Sequence, residues 1–353
     1  MSDFWNGKKV LLTGHTGFKG SWLALWLQQR GAEVVGFSLP PPTKPSLFED
    51  ARVADGMISM EGDVRMLEPL CMAFAEHQPV VVLHLAAQAL VRYSYTHPVE
   101  TYDTNVMGVV NVLEAVRKTP SVRSVVIVTS DKCYENREWI WGYRENEPMG
   151  GHDPYSSSKG CAELVTAAYR RSFFGEGHTH NATARAGNVV GGGDWADDRL
   201  VPDMVRAFRQ GQPVLIRNPQ AVRPWQHVLE PLRGYLMLAE RLFQNRETFA
   251  EAWNFGPDSN CHQPVQSVVK KLCALWSSSA RWEQDPAGHP HEAQALRLDN
   301  TRAREHLRWQ PALELDAALR MTADWYKEWE PGRNMRALTE TQIRSYEEAV
   351  KAR

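Results

Sequence analysis

The chain has 353 residues, 43% of them hydrophobic and 23% charged, with a formal net charge of -2. These values are ordinary for a soluble globular protein with a substantial core. They give no basic footprint for nucleic acid and no charged tail.

No apolar stretch approaches the roughly 20 residues that span a bilayer, and no basic-then-apolar leader opens the chain, so the sequence reads as cytoplasmic with no membrane partner. Its partners are expected to be small molecules or copies of itself. The five cysteines, Cys71, Cys133, Cys161, Cys261 and Cys273, are scattered and lack Cys-x-x-Cys spacing, which suggests neither a disulfide framework nor a zinc site. The twelve histidines show no metal spacing either, and no metal is expected.

Strand and helix alternate through the first half. The run Lys-Lys-Val-Leu-Leu-Thr-Gly (8–14) reads as a strand, and 21–32 repeats apolar residues at helical spacing until Gly31 stops it. Strands follow at 33–39, 57–63, 80–87 and 124–130, with helices at 66–77 and 105–118 between them. Strands joined through helices imply parallel pairing with right-handed crossovers, an α/β doubly wound (Rossmann) sheet whose ligands lie at the carboxyl ends of the strands. Beyond about residue 190 the pattern loosens into Gly-, Pro- and Trp-rich loops between short helices. The expected organisation is a dinucleotide-binding domain over 1–188 and a smaller, mixed α/β substrate lobe over 189–353, with interleaving of segments allowed for.

Gly14, Gly17 and Gly20 stand where the first strand passes into the first helix. A phosphate needs backbone N–H groups without side chains in the way, and a helix N-terminus adds a favourable dipole. The spacing is Gly-x-x-Gly-x-x-Gly. No acid ends the second strand; Ser38 and Leu39 precede three prolines, which leaves NAD and NADP both open on physical grounds. Asp63 could accept from an adenine amino group or cap the next helix.

Tyr155 and Lys159 lie at i and i+4 of a predicted helix, with Asp153 as N-cap and Pro154 in the first turn. A nearby ammonium favours phenolate, so the pair can make the tyrosine a base. The stretch Thr-Ser-Asp-Lys-Cys-Tyr (129–134) ends a buried strand in a hydroxyl, a carboxylate and an amine, more chemistry than a turn requires.

Taken in order, Gly-x-x-Gly-x-x-Gly, His-Leu-Ala-Ala-Gln (84–88), Tyr-x-x-x-Lys and Arg-Ala-Gly-Asn-Val-Val-Gly (185–191) resemble the extended short-chain dehydrogenase/reductase family of nucleotide-sugar enzymes. The likeness covers nearly the whole chain. Within the family, Ser130, Asp131 and Lys132 resemble the dehydratase branch, and together with 85–92 and 222–228 they look most like enzymes acting on CDP-glucose. The resemblance implies an NAD-dependent hydro-lyase feeding deoxysugar synthesis, such as that of O-antigen lipopolysaccharide, and working as a homodimer or tetramer.

By the same resemblance NAD is held by Gly14, Thr16, Gly17, Phe18, Lys19 and Gly20, and by Asp63 and Val64. Further cofactor contacts are implied for Leu85, Ala86, Ala87, Gln88, Asn105, Thr129, Tyr155 and Lys159. Tyr155 serves the C4 hydroxyl, Ser130 bonds the C4 oxygen, Asp131 is the acid for the departing C6 hydroxyl, and Lys132 takes the position of the C5 base. A lysine can act as a base only when neutral, so this role asks for a depressed pKa.

Substrate contacts are implied for Gln88, Arg92, Asn188, Arg199 and Leu200. Arg217, Arg223, Trp225 and His227 complete the set, the arginine forks suiting a diphosphate. The alternatives are a dehydratase acting on dTDP-glucose or GDP-mannose, a 4-epimerase, and a dinucleotide-sensing binding protein. Epimerases of the family usually carry small residues after the Thr/Ser, and sensing proteins usually lose Tyr or Lys of the pair.

Overall fold

The computed structural model describes residues 3–175, 177–287 and 293–353. Its strands are β1 (Lys9–Thr13), β2 (Glu33–Ser38), β3 (Ile58–Glu61), β4 (Val81–His84), β5 (Ser124–Val128), β6 (His180–Ala186), β7 (Asn188–Val190), β8 (Val214–Ile216), β9 (Val222–His227), β10 (Ala252–Phe255), β11 (His262–Pro264) and β12 (Trp282–Gln284). Seven of them form one sheet in the order β10-β6-β5-β4-β1-β2-β3, every neighbouring pair parallel. This is the doubly wound arrangement that the alternation predicts, and the strand order reverses beside β1.

Alternate residues of one strand serve the two faces, because successive side chains of a strand point in opposite directions. In β1, Val10 and Leu12 join the core that contains Trp22 and Trp26, whereas Leu11 joins the opposite core with Phe37 and Phe74. β5 divides in the same way, with Val126 and Val128 on one side and Val125 and Ile127 on the other. All are buried, and burying one such side chain contributes about 1.5–3 kcal/mol.

Segments beyond residue 188 enter the main sheet. β10 pairs with β6, and the helix Leu229–Asn245 packs on β5 and β6. The remaining strands form two small sheets, β11-β9-β7 and β12-β8. The C-terminal helix Arg336–Lys351 returns to the helix Phe18–Gln29, where Glu347 accepts from the Trp26 indole at 2.6 Å and pairs with Arg30. None of the described helices is long and apolar enough to cross a membrane.

Candidate active site

The register fixes where the strands end. Thr13 of β1 stands opposite His84 of β4, and His84 opposite Ile127 of β5, so Gly14, Leu85 and Thr129 emerge at one edge of the sheet. Thr13 Oγ1 accepts from the amides of Leu85 and Ala86 at 3.2 Å, tying the glycine loop to the end of β4.

Gly14 has φ +73°, and a Cβ there would stand 2.6 Å from Ala86 N, while one on Gly20 would stand 2.0 Å from Gly14 O. Both glycines are demanded by the chain's own packing. Gly17 differs: a Cβ there would meet only Gly14 O at 3.5 Å, so its outer face opens onto free space. It is also the N-cap of the helix Phe18–Gln29 and supplies no side-chain cap, leaving first-turn N–H groups for an anion. These residues fit the diphosphate of a dinucleotide.

Thr16 Oγ1 bonds Ser38 Oγ at 2.8 Å and donates to Leu39 O, filling the end of β2, where no acid stands. Asp63 accepts from the Arg65 backbone N at 2.9 Å and from its guanidinium at 2.6 and 2.8 Å; burial works against its charge, but these bonds hold its carboxyl below the usual range. Met66, not Asp63, is the N-cap of the following helix. Val64 is buried under Gly108. Gln88 is held by Asn105, whose amide nitrogen also reaches Ser158 Oγ at 2.9 Å.

A cavity of about 290 Å³ opens beside this edge. Of the sequence candidates, Phe18, Lys19, Arg92, Thr129, Ser130, Asp131, Lys132 and Tyr155 line it from the sheet side. Asn188, Arg199, Leu200, Arg217, Arg223 and Trp225 line it from the lobe. His227 is not among the lining residues: at the last position of β9 its ring is fully buried, edge-on to Trp22 of the helix Phe18–Gln29, where burial depresses its pKa to about 3. Gln88, expected to touch substrate, is not among the lining residues either, its side chain being held by Leu90 and Thr101, and neither are Thr16, Asp63, Val64, Leu85, Ala86, Ala87, Asn105, Lys159 and the three glycines.

Asp153 caps the helix Pro154–Phe173 by accepting from Ser156 N at 2.9 Å, with Pro154 at its first position. This delivers Tyr155 to the cavity wall beside Ser130. In the chain by itself burial pushes the phenol up to about 12, opposed by the Ser130 hydroxyl and by Arg199 and reinforced by Asp131. The expected depression is thus outweighed by desolvation. Lys159 is held down to about 8, by burial first and the Lys19 charge second, against Glu163 and Cys133. Its Nζ donates to Val128 O at 3.4 Å.

Asp131 is buried to 2% exposure. Its Oδ1 accepts from Ser130 Oγ at 3.1 Å, but Oδ2 is buried without a hydrogen-bond partner. Burial raises its pKa against the pull of Lys132, the Ser130 bond, Arg223 and Lys19. A carboxyl so placed can hold a proton and give it to a ligand. Lys19 is itself lowered to about 8, by burial and by Arg199.

Two acids escaped the sequence reading. Asp194 pairs with Arg199 at 2.9 Å. Asp198 Oδ1 receives both Arg92 at 2.9 Å and Arg217 at 3.0 Å, joining the sheet side to the lobe across the cavity. The acidic run at 194–198 was the available signal; its partners, 106 and 19 residues away from Asp198, were not. Among the described residues no group of acids, histidines and cysteines could hold a metal ion.

The chain as a whole is similar to several known proteins. The chain is 52% identical to CDP-glucose 4,6-dehydratase of Salmonella typhimurium, over 99% of this chain and 98% of that protein. It is 26% identical to dTDP-glucose 4,6-dehydratase of Xanthomonas campestris pv. campestris, over 90% of this chain and 92% of the other. Among solved structures, UDP-glucose 4-epimerase of Thermotoga maritima superposes with a TM-score of 0.79 at 22% identity, covering 91% of this chain and 99% of its own. The dTDP-glucose 4,6-dehydratase of Bacillus anthracis, solved with NAD, gives 0.77 at 21%, covering 92% and 98%. The family profile described as GDP-mannose 4,6 dehydratase matches residues 11–322. With that match running from the first strand through the lobe, the chain belongs to the GDP-mannose 4,6 dehydratase family, the nucleotide-sugar dehydratase branch of the extended short-chain dehydrogenases.

Proposed function

We propose that this protein is a CDP-glucose 4,6-dehydratase that uses NAD and converts CDP-D-glucose to CDP-4-dehydro-6-deoxy-D-glucose and water. The choice of CDP-glucose is supported by the 52% identity along the whole chain. The observation that carries the chemistry is Asp131, a buried carboxyl in the cavity wall with one unpartnered oxygen, beside Ser130 and Tyr155. A 4-epimerase has no use for an acid there, whereas a dehydratase must protonate a leaving hydroxyl.

The chemistry that NAD supplies when bound is a reversible store for one hydride, drawn from C4 of the hexose and returned at C6. Gly14, Thr16, Gly17, Phe18, Lys19 and Gly20 would hold its diphosphate, Asp63 and Val64 its adenine end, and Tyr155 and Lys159 its reactive end. Tyr155 takes the C4 hydroxyl proton, and Ser130 hydrogen-bonds the C4 oxygen. The 4-keto group then makes the C5 proton acidic; Lys132 removes it, the C6–O bond breaks, Asp131 delivers the proton that makes the departing hydroxyl water, and Lys132 gives its proton back to C5 once C6 has regained hydrogen.

Arg223 and Arg217 hold the substrate diphosphate, with Arg92, Asn188, Arg199, Leu200 and Trp225 around it. Residues 1–188 and β10 carry the dinucleotide, and the rest is mainly substrate lobe. The protein works as a homo-oligomer. Leu164 and Phe173 on the helix Pro154–Phe173, with Val99 and Met107 on the segments Pro98–Tyr102 and Asp103–Met107 packed against it, are exposed apolar side chains suited to a second copy. It acts in the cytoplasm, and its product feeds deoxysugar assembly for O-antigen lipopolysaccharide.

The test is incubation of the pure protein with NAD and CDP-, dTDP-, UDP- or GDP-hexoses. CDP-glucose should give the alkaline absorbance of a 4-keto-6-deoxy product, with no net consumption of NAD. Preference for another nucleotide overturns the substrate; epimerised hexose without loss of water overturns the reaction.

A further inference from the structure

In the triplet Ser130–Lys132, Ser130 caps a short 3₁₀ turn, Asp131–Cys133, accepting from Lys132 N at 3.3 Å, and the turn's own backbone contributes one bond, Cys133 N to Ser130 O, also at 3.3 Å. What grips its two ends lies beneath it. Glu163 and Arg185 form an ion pair at 2.7 Å with side-chain exposures of 5% and 3%. Glu163 Oε1 accepts from Thr129 Oγ1 at 2.5 Å and from Arg185 Nε at 2.8 Å, and its Oε2 accepts from Thr183 Oγ1 at 2.7 Å. Arg185 Nη1 donates to the Tyr134 hydroxyl at 2.7 Å and to Glu145 O at 3.0 Å. Tyr134 in turn donates to Asn254 of β10 at 2.7 Å. One buried ion pair therefore bonds the residue before the triplet and the residue that closes its turn.

We propose that Glu163 and Arg185 are positioning residues for the elimination: by holding Thr129 and Tyr134 they set where Asp131 and Lys132 meet the hexose. The inference rests on the dehydratase reading above. Stability alone is a poor reason for such a pair, because desolvating two charges costs about as much as their attraction returns, and apolar replacements are often neutral. A fully satisfied buried network fixes geometry instead. Glu163 has a second effect, since it follows Lys159 by one helical turn and its charge favours the protonated amine. The other titratable groups acting on that amine are Lys19, which disfavours its charge, Cys133, and His84, itself neutral through burial.

The test uses the full-length protein with NAD and CDP-glucose. Tyr134→Phe removes only the hydroxyl gripped by Arg185. It should lower kcat roughly tenfold, because small misplacements of reacting groups are costly, with KM within about twofold because the arginines of the lobe are untouched. Backbone hydrogen exchange over 129–134 should quicken roughly tenfold. Glu163→Gln should in addition move the alkaline limb of kcat down by roughly half a pH unit or more. A Tyr134→Phe protein with kcat within twofold of wild type overturns the proposal, as does an unmoved alkaline limb in a folded Glu163→Gln protein. If Glu163→Gln does not fold, Tyr134→Phe decides alone. Should wild-type protein leave CDP-glucose unchanged, the dehydratase reading fails, and unaltered exchange in Tyr134→Phe would separately overturn the grip.

Discussion

At the scale of single residues, the site works by burying groups whose charge is then costly. Tyr155→Phe removes only the phenolic oxygen, so the fold and NAD binding should persist while turnover falls by ~10²–10⁴, the usual contribution of a general base. Steady-state assay beside a melting curve checks this. Asp131→Asn keeps the shape but cannot donate the same proton, so oxidation at C4 should outrun elimination and the absorbance of reduced nicotinamide should rise in a single turnover. The same variant should be the more stable one at neutral pH. Burial raises the folded pKa of Asp131, so the folded state binds the extra proton between the unfolded value and the raised one, and stability falls as pH climbs through that window. The asparagine variant escapes this loss: its melting temperature should lie on the order of 2 °C above wild type at pH 7 and converge with it below the ordinary carboxylate range. For Lys159, with its pKa lowered to about 8, the ammonium is lost as pH rises through that value, and kcat should decline on the alkaline side accordingly.

Among the elements, the glycine loop separates residues needed for folding from residues needed for the ligand. Gly14→Ala would force a Cβ to 2.6 Å from Ala86 N at φ +73°, so it should yield little folded protein. Gly17→Ala meets no such clash. Its melting curve without cofactor should match wild type within about 1 °C, while titration calorimetry with NAD should show affinity reduced at least roughly tenfold.

Much of this was legible in the sequence because it is local. The strand endings, the cap by Asp153 and the phase of Tyr155 and Lys159 on one helix follow from spacing over a few residues. The hydroxyl-acid-amine succession at 130–132 announced itself in the same way. What escaped is pairing across long separations. Glu163 meets Arg185 from 22 residues away, and Asp198 meets Arg92 from 106. His227 shares the strand period of Arg223 and Trp225, yet its ring is packed against Trp22 in the core, which periodicity cannot show. The height of the Tyr155 pKa depends on how completely tertiary packing dries the phenol, which i, i+4 spacing does not encode.

At the scale of the whole molecule, the two halves depend on each other. Arg92 and Arg217 meet on Asp198 across the cavity, and the C-terminal helix braces the glycine-loop helix through Glu347. Removing residues 336–353 would uncover Trp26, fully buried in the intact protein, and would take the Tyr346 hydroxyl from Glu230 and Arg233. The truncated chain should lose NAD affinity along with stability although no deleted residue belongs to the site, and comparing apo melting and cofactor binding checks both.

The placement of β10 beside β6 has a consequence for biosynthesis. A ribosome releases the chain from its N-terminus at ~5–20 residues per second, so after β6 emerges its outer edge waits for Ala252–Phe255 while more than sixty further residues are made. During those seconds the nascent sheet presents an unpaired margin to every neighbouring chain on the polysome. Expression of the first 188 residues alone would make that interval permanent, and such a fragment should collect in inclusion bodies, whereas co-expression with the remainder of the chain should return part of it to the soluble fraction.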